Sequence, residues 1–259
     1  MKILAVIQAR MNSTRLPGKV LLPILGKPIL WHIHHRLGKC NVDEICVATS
    51  TNQNDDKIQK FAENEHIPIF RGSENLVLDR LLGAAKIFHA DAIVRVTGDC
   101  PLIDPDVINE MIEIYKNRQE IDFVCNTIQR TFPDGLDVEI MSTNFLCRLS
   151  DGLREPFMRE WFPMYMVEHC NQFNYVNFTN NENISQLRWT VDFIEDFEFI
   201  KTIYEELYPE FDVFMMKDVL NLLQSKPDLV KINQKYSANT SVTIYDDLKK
   251  LADFKNKHL

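Results

Sequence analysis

A basic loop over residues 8–19 (QARMNSTRLPGK) could hold a chain of phosphates. Arg10, Arg15 and Lys19 supply two guanidinium forks and one ammonium, which suit phosphate oxygens in charge and in hydrogen-bonding geometry. Ser13 adds a hydroxyl donor. With a single glycine, the loop matches neither the G-x-x-x-x-G-K-[ST] nor the G-x-G-x-x-G phosphate-binding pattern. Composition alone therefore leaves a solvated basic loop as an equally good interpretation.

A second chemical candidate is Asp99, which closely follows the β-branched run 92–96 (AIVRV). Its neighbour Gly98 would let the backbone approach a ligand closely. A carboxylate there can ligate Mg²⁺ and place it on phosphates held by the basic loop. The alternative is an aspartate that forms a turn or caps a helix. Asp104 fits the cap better because it directly precedes Pro105, and proline is typical of a first helical turn.

Asp192 is the candidate for a second metal ligand. It ends the short apolar stretch 187–191 (LRWTV), and sites with two carboxylates can be assembled from the ends of separate strands. The alternative is a cap for the helix that begins a few residues later, and the sequence supports it strongly.

Asp137 and Glu139 follow the turn signal at 133–135 (PDG). They lie two residues apart and would share one face of an extended segment. There they could bind the hydroxyl groups of an acceptor. The residues alone favour the simpler interpretation, which is a hairpin with exposed acids.

Strand and helix patterns alternate through the first half of the chain. They predict strands at 3–7, 44–49, 67–70, 92–96 and 122–126, and helices at 28–37, 55–65, 76–88 and 105–115. This order predicts a three-layer α/β sandwich around a mainly parallel sheet. Ligands of such sheets bind outside the carboxyl ends of the strands. Because the basic loop and Asp99 follow two strands at that edge, the predicted fold favours an anion site.

The second half of the chain is less regular. Its patterns predict strands at 137–141 and 173–178, helices at 157–169, 196–207 and 214–223, and a polar tail after 227 with a terminal helix near 246–254. Without an internal repeat or a linker, we expect a single domain over 1–259. The segment from about 128 to 190 is predicted to be an insertion that carries acceptor contacts or a subunit interface. An ordinary α+β extension of the same core is the alternative.

The bulk composition argues against several classes of protein. A formal net charge of −8 is opposite to that of a typical nucleic-acid binder. No apolar run approaches the roughly 18 residues of a membrane span. The six cysteines have the spacing of neither a zinc site nor a disulfide framework. We therefore expect a cytoplasmic protein with neither a nucleic-acid nor a membrane partner.

Together the motifs resemble the cytidylyltransferases that activate acidic sugars, the 3-deoxy-manno-octulosonate and acylneuraminate cytidylyltransferases. The likeness is greatest to the branch labelled spore coat polysaccharide biosynthesis protein. The matching stretches occur in the family's order: IQARMNSTRLPGKVL (7–21), GKPIL (26–30), FRGSENLVLDR (70–80), RVTGDCPLIDP (95–105), FPDGLDVEI (132–140) and TVDFIEDFEFI (190–200). The resemblance implies a nucleotide-diphosphosugar-transferase-like, Rossmann-like fold. It also implies Mg²⁺-dependent transfer of CMP from CTP to a sugar-acid-type acceptor, with release of pyrophosphate, for a surface polysaccharide or glycan.

The resemblance further implies roles for individual residues. Arg10, Lys19 and Asp99 would form the catalytic centre on the CTP phosphates, and Asp99 and Asp192 would hold Mg²⁺. The predicted nucleotide contacts are Gln8, Ala9, Arg10, Ser13, Arg15, Lys19, Arg71, Ser73, Asp79 and Thr97, and the predicted acceptor contacts are Asp137, Glu139 and Arg159. The family often forms homodimers, and we expect one here.

Two positions depart from the family's pattern. Thr97 stands where the octulosonate enzymes usually carry glutamine, although threonine is usual in the spore-coat branch. Trp161 stands where that branch tends to carry histidine, which bears on the acceptor more than on the reaction. Two other functions stay open. One is a nucleotide-sugar-dependent glycosyltransferase, whose usual D-x-D motif is missing around Asp99, and the other is a non-catalytic nucleotide-binding protein.

Overall fold

The computed structural model describes residues 1–118, 120–238 and 242–250. Its strands are β1 (Ile3–Gln8), β2 (Pro23–Ile24), β3 (Lys27–Pro28), β4 (Glu44–Ser50), β5 (Ile69–Gly72), β6 (Ala92–Thr97), β7 (Phe123–Cys125), β8 (Glu139–Ser142) and β9 (Tyr175–Asn177). Its helices are α1 (Ile29–Leu37), α2 (Asp56–Asn64), α3 (Val77–Ile87), α4 (Pro105–Lys116), α5 (Thr143–Gly152), α6 (Pro156–Glu160), α7 (Phe162–Glu168), α8 (Ile194–Leu207) and α9 (Met216–Ser225). A further helical segment covers 242–250. None of the helices in these ranges is long and apolar enough to cross a membrane.

Seven strands form the central sheet in the order β5-β4-β1-β6-β8-β7-β9, and β2 and β3 form a separate pair. The strands β5, β4, β1 and β6 pair in parallel, as do β7 and β9. Strand β8 runs antiparallel to both of its neighbours, β6 and β7. It therefore brings its first residues to the edge of the sheet at which β1 and β6 end.

Both faces of the sheet are covered by helices, as apolar side chains at successive strand positions require. In β1, Ile3, Ala5 and Ile7 belong to one hydrophobic core, and Leu4 and Val6 belong to the other. Helices α1, α2, α4, α8 and α9 contribute to the first core, and α3, α5 and α7 to the second. The predicted three-layer sandwich with a mainly parallel sheet is confirmed.

Helix α4 begins at the predicted cap. The Asp104 side chain accepts hydrogen bonds from the backbone N–H groups of Asp106 at 2.8 Å and Val107 at 3.2 Å. Pro105 follows at the first helical position, where no intrahelical donor is needed. Asp104 and not Asp99 is therefore the capping residue, as its position before the proline predicts.

The predicted strands and helices up to residue 126 are all present, and their ends lie within two residues of the prediction. One later prediction is wrong. The helix expected over 157–169 is split into α6 and α7 at Trp161, because Pro163 lacks the N–H group that would continue the first helix. The stretch 187–191 is not a regular strand, since its only recorded pairing is an isolated bridge between Asp134 and Arg188.

Further differences lie in the second half. Helix α5 is an additional element that the sequence analysis does not predict. The segment 128–190 contributes β8 and β9 to the central sheet, and its contacts with an acceptor or a second subunit stay a prediction. The helix expected near 246–254 overlaps the helical segment 242–250, while 251–254 lies outside the described residues.

Candidate active site

A cavity of about 230 Å³ lies at the carboxyl ends of β1 and β6. Eight of the predicted site residues line it, namely Gln8, Arg10, Arg15, Thr97, Asp99, Asp137, Glu139 and Asp192. The first five reach it from the ends of parallel strands, whereas Asp137 and Glu139 reach it from the start of antiparallel β8. The fold therefore brings the basic loop and the three acidic motifs to one cavity.

Lys19 joins the two predicted metal-binding carboxylates. Its Nζ lies 2.6 Å from Asp99 Oδ2 and 2.8 Å from Asp192 Oδ1, and its side chain is only 8% exposed. Burial alone would lower the pKa of Lys19, but the two carboxylates outweigh burial and hold the pKa above its ordinary value. Because one ammonium contacts both carboxylates, Asp99 and Asp192 are direct neighbours in the site.

The basic loop is held in shape by its own backbone and by the buried carboxylate of Asp55. Asp55 accepts a hydrogen bond from Met11 N at 2.7 Å and others from two hydroxyl groups at the end of β4. Gly18 has a φ of 73° and donates its N–H to Met11 O at 2.9 Å. Glycine adopts this left-handed conformation without steric cost, so the chain turns back at Gly18 and delivers Lys19 to the two carboxylates.

Asp99 is tied to the segment that carries Asp192. The backbone N–H of Val191 donates to Asp99 O at 2.8 Å, directly beyond the end of β6. Burial would raise the pKa of the Asp99 carboxyl, but the Lys19 ammonium holds it below its ordinary value. The carboxylate is therefore charged at neutral pH.

Asp192 contacts three cations. Its Oδ1 lies 2.5 Å from Arg15 Nη2 and 2.8 Å from Lys19 Nζ, and its Oδ2 lies 3.0 Å from Arg188 Nη2. Burial would raise the pKa of Asp192, but Lys19 and then Arg15 hold it well below its usual range.

Phe193, and not Asp192, is the N-cap residue of helix α8. Asp196 lies in the first turn of the helix, and its Oδ2 accepts hydrogen bonds from the backbone N–H groups of Asp192 and Phe193, each at 3.0 Å. The interpretation of Asp192 as the cap is therefore wrong. The Asp192 side chain lines the cavity instead.

Seven other predicted site residues, all within the described chain, lie outside the lining: Ala9, Ser13, Lys19, Arg71, Ser73, Asp79 and Arg159. Arg71 binds the carbonyl oxygens of Ser50 and Asn52 at 2.8 Å each and the Asp56 carboxylate at 2.7 Å. These contacts join β5 to the segment that leads into α2. A contact between Arg71 and a nucleotide stays a prediction.

Asp79 and Arg159 form an ion pair that joins α3 to α6. Arg159 Nε lies 3.1 Å from Asp79 Oδ1, and Arg159 Nη1 donates to the carbonyl oxygen of Ser150 at 2.8 Å. In this structure the pair joins two helices that each contribute a residue to the cavity lining, Val77 from α3 and Glu160 from α6. Direct contacts of these two residues with ligands stay predictions.

Sequence analysis misses Arg95, which lines the cavity beside predicted residues. Arg95 Nη1 lies 2.8 Å from Glu139 Oε2, and Arg95 Nε lies 3.0 Å from Gln8 Oε1. The pairing of β6 with β8 sets Arg95 directly opposite Glu139. A lone charge within the apolar run 92–97 was the signal that could have found Arg95.

Arg130 and Glu160 also line the cavity and were not predicted. Arg130 Nη1 lies 2.8 Å from each carboxylate oxygen of Asp137. Burial would lower the pKa of Arg130, but Asp137 outweighs burial and raises it. Glu160 Oε1 lies 3.7 Å from Arg10 Nη1. No periodic pattern in the sequence points to Arg130 or Glu160, because the loop or helix end that carries each of them is defined only by tertiary contacts.

The cytidylyltransferase family model matches residues 4–212 of this chain. The spore coat polysaccharide biosynthesis protein SpsF of Bacillus subtilis is 30% identical over 236 residues, which cover 87% of this chain and 95% of that protein. A solved structure of a cytidylyltransferase from Leptospira borgpetersenii is 36% identical with a TM-score of 0.84, and the match covers 89% of this chain and 97% of that one.

A second similar structure is CMP:2-keto-3-deoxy-manno-octonic acid synthetase complexed with CTP. Its TM-score is 0.62 at 20% identity, over 80% of this chain and 99% of that one, and a likeness at this identity establishes the fold alone. The family match spans most of the chain, and the Bacillus relative aligns over nearly its whole length. This chain therefore belongs to the cytidylyltransferase family of nucleotidyltransferases.

Proposed function

We propose that this protein uses Mg²⁺ and CTP to transfer CMP to a sugar-acid-type acceptor, with release of pyrophosphate, in the synthesis of a surface polysaccharide or glycan. The observation that carries the proposal is the convergence of Arg10, Arg15, Asp99 and Asp192 at one cavity, with Lys19 in contact with both carboxylates. This arrangement suits a triphosphate and its metal ion. The name of the Bacillus relative points to polysaccharide synthesis, and the name of the CTP-bound synthetase points to CTP and a sugar acid.

Asp99 and Asp192 suit Mg²⁺ in the kind and number of their ligand atoms. Mg²⁺ is commonly held by one or two carboxylates together with substrate phosphates and water. Within the described ranges, no group of three or more His, Cys, Asp and Glu side chains is placed to hold a metal ion. The remaining ligands would therefore come from the nucleotide and from water. When bound there, Mg²⁺ would neutralise part of the phosphate charge.

Arg10 and Arg15 are the proposed phosphate-binding side chains. Arg10 Nη1 donates to Glu74 O at 2.8 Å, which fixes its guanidinium before a ligand arrives. Arg15 rests against the Asp192 carboxylate, and its Cζ lies 5.4 Å from the centre of the Phe193 ring. Two guanidinium groups that are already in place lose little side-chain freedom on binding.

The proposed reaction needs charge stabilisation more than covalent help from the protein. An acceptor oxygen attacks the α-phosphorus of CTP, the bond to the leaving pyrophosphate breaks, and charge develops on the phosphate oxygens. Fixed cations that face those oxygens lower the energy of this state. Lys19 has a different role from these cations, because it holds the carboxylates of Asp99 and Asp192 side by side.

Arg130 is the best candidate to bind the carboxylate of an acidic acceptor. Its two contacts with Asp137 both use Nη1, and a guanidinium has further donors that can pair with a second carboxylate. Asp137 and Glu139 would then bind hydroxyl groups beside it, and Trp161 would supply an apolar surface.

Pyrophosphate release tests the proposal directly. The purified protein is given Mg²⁺, each nucleoside triphosphate in turn, and a panel of sugar acids with matched neutral sugars. We expect release only with CTP and an acidic sugar. Release with neutral sugars alone would contradict the acceptor class. Turnover of a ready-made nucleotide sugar, with no reaction of CTP, would contradict the whole proposal and support a glycosyltransferase.

Two further expectations stay proposals. A homodimer is tested by light scattering on the purified protein, which should give twice the mass of the 30.3 kDa chain. A cytoplasmic location is tested by fractionation of the producing cells.

A further inference from the structure

A short segment near the end of the described chain packs against the turn that carries Asp192. We call residues 233–237 (NQKYS) the C-terminal clamp. The family model ends at residue 212, so the clamp lies beyond the region that defines the family. It is nevertheless in contact with the proposed metal-binding part of the site.

Asn233 makes the first contact of the clamp. Its side chain is buried, and Nδ2 donates to the carbonyl oxygen of Arg188 and to Asp196 Oδ1, each at 3.0 Å. Arg188 and Asp196 flank Asp192 at a distance of four residues on either side. One amide group therefore ties together the two ends of the turn that presents Asp192.

Arg188 makes the second contact. Its Nη2 binds Asp192 Oδ2 at 3.0 Å, its Nε binds Asp196 Oδ1 at 2.9 Å, and its Nη1 donates to the carbonyl oxygen of Ser237 at 3.1 Å. Burial would lower the pKa of the Arg188 guanidinium, which is 3% exposed, but Asp196, Asp134 and Asp192 outweigh burial and raise it. The carboxylate of Asp192 is thus connected to the clamp through a single buried side chain.

Tyr236 makes the third contact. Its ring stacks on Phe193 with a centroid distance of 3.7 Å and an interplanar angle of 3°. Phe193 directly follows Asp192, and its ring centre lies 5.4 Å from Arg15 Cζ. The stack therefore fixes the backbone next to Asp192 and one surface on which Arg15 rests.

The turn needs this support because regular structure does not hold it. Asp192 follows a stretch that is not a strand, whereas Asp99 lies two residues beyond the end of β6. The backbone N–H of Asp192 is bound by Asp196, a side chain that itself depends on Arg188 and Asn233. Loss of the clamp would leave the turn without part of its buried hydrogen-bond network.

We propose that the C-terminal clamp is a positioning element that sets the Asp192 carboxylate for the binding of CTP with Mg²⁺. The inference rests on the proposed function. It assigns Asn233 and Tyr236 as positioning residues that act through Arg188 and Phe193 and do not touch the nucleotide. Groups that orient a metal ligand commonly change metal affinity by about 10–100-fold when they are removed.

Calorimetric titration of CTP into the full-length protein at a series of Mg²⁺ concentrations tests the proposal. We expect Asn233→Ala and Tyr236→Leu to raise the Mg²⁺ concentration for half-maximal CTP binding by about tenfold. In EDTA, the affinity of Asn233→Ala for CTP should equal that of the unchanged protein. Tyr236→Leu is the second variant because Tyr236 is only partly buried and its loss leaves the folded core intact.

Two matched controls come from the same segment. Tyr236→Phe keeps the ring stack and loses only a hydroxyl contact with Glu195 at 3.0 Å. Lys235→Ala loses an exposed ion pair with the same glutamate at 2.6 Å. Both controls should require the same Mg²⁺ concentration as the unchanged protein, because neither contact reaches Asp192.

The outcomes separate this inference from the proposed function. If Asn233→Ala and Tyr236→Leu melt at lower temperature but keep the Mg²⁺ requirement of the unchanged protein, the clamp is only a stabilising contact and the inference is wrong. If the unchanged protein binds CTP equally well with Mg²⁺ and with EDTA, the metal-dependent function itself is wrong.

Discussion

The two walls of the cavity carry charge in different ways. The proposed nucleotide-side wall consists of Arg10, Arg15, Asp99 and Asp192, together with Lys19, which contacts both carboxylates from outside the lining. The proposed acceptor-side wall consists of Arg95, Arg130, Asp137 and Glu139. In the first wall the contacts are shared, since Asp192 binds Lys19 and Arg15 and Arg10 lies 3.7 Å from Glu160. The second wall has two separate ion pairs, Arg95–Glu139 and Arg130–Asp137. An incoming anion therefore meets a connected cluster of cations on the nucleotide side and discrete ion pairs on the acceptor side.

This difference separates binding strength from selectivity. A cluster of neighbouring cations attracts any phosphate chain, and this attraction is stronger where water is excluded. Closed ion pairs contribute little net charge, but they hold donors and acceptors in fixed directions. We therefore expect damage to the nucleotide-side wall to abolish the reaction, and damage to the acceptor-side wall to change which sugar reacts.

The largest effect should follow from Asp99→Asn, which keeps the shape of the side chain and removes its charge. We expect kcat/KM for pyrophosphate release to fall by about 10²–10³-fold, since a group that stabilises transition-state charge commonly contributes this much. Asp106→Asn, at an exposed position on α4, is the control and should be unchanged. Near-normal turnover of Asp99→Asn with Mg²⁺ would show that Asp99 is not a metal ligand.

Lys19→Met should have the next largest effect, because it leaves two adjacent carboxylates without their shared cation. Breaking a buried ion pair by removing one partner costs about 3 kcal/mol or more in free energy of unfolding. Urea denaturation at pH 7 measures the loss. A variant as stable as the unchanged protein would show that Lys19 does not hold the two acids together.

The pH dependence gives the same cluster a second test. The native pKa values of Asp99 and Asp192 lie below 3.8, so their stabilisation is present above about pH 4 and is lost as pH falls through the native values. The native pKa of Lys19 lies above 10.5, so the contribution of Lys19 to the free energy of unfolding is present below that pH. It is lost as the pH rises through the native pKa. The loss of unfolding free energy caused by Lys19→Met should therefore be smaller in acid, because the unpaired carboxylates take up protons.

On the acceptor side, Arg130→Gln should raise KM for an acidic sugar by about 10–100-fold, the range expected for a lost hydrogen bond to a charged group. The KM for CTP should stay the same, because Arg130 pairs with Asp137 and not with the basic loop. Initial rates with each substrate varied in turn separate the two constants. An equal rise in both would show that the two walls are not independent.

The smallest effect on catalysis should come from Arg71→Lys, which lies outside both walls. Its guanidinium holds carbonyl oxygens and Asp56 at the surface, so the change should lower stability by about 1 kcal/mol and leave CTP affinity within about twofold. Calorimetry with CTP and urea denaturation measure the two quantities. A large loss of CTP affinity would place Arg71 in the nucleotide-side wall after all.

The nucleotide-side wall could be predicted because its positions follow from local patterns. Short β-branched runs fixed the ends of β1 and β6, and Pro105 identified Asp104 as the helix cap. Those two inferences placed the basic loop and Asp99 at one edge of a parallel sheet. The assignment of Asp192 also needed the start of α8, where Phe193 is the N-cap residue and Asp196 binds its backbone N–H. Asp192, Glu195 and Asp196 all lie near that start, and the sequence alone does not show which of them caps the helix.

The acceptor-side wall could not be predicted in the same way. Arg95 and Glu139 meet only because β8 is inserted between β6 and β7, an order that no local pattern encodes. The partners of Arg130 and Glu160 also depend on how loops and helix ends pack. The division of the helix at Trp161 could have been predicted from Pro163, because its missing N–H group is a local signal.

The reversed direction of β8 has a consequence for how such enzymes diversify. Since this strand starts at the edge of the sheet where the cavity lies, the connection that leads into it, residues 126–138, brings Arg130, Asp134 and Asp137 to the cavity lining. Insertions or deletions in that connection would reshape the proposed acceptor side of the cavity while the strand order and the proposed triphosphate side stay as they are. Acceptor preference in this architecture would thus be free to change without a change in the residues proposed to bind the triphosphate.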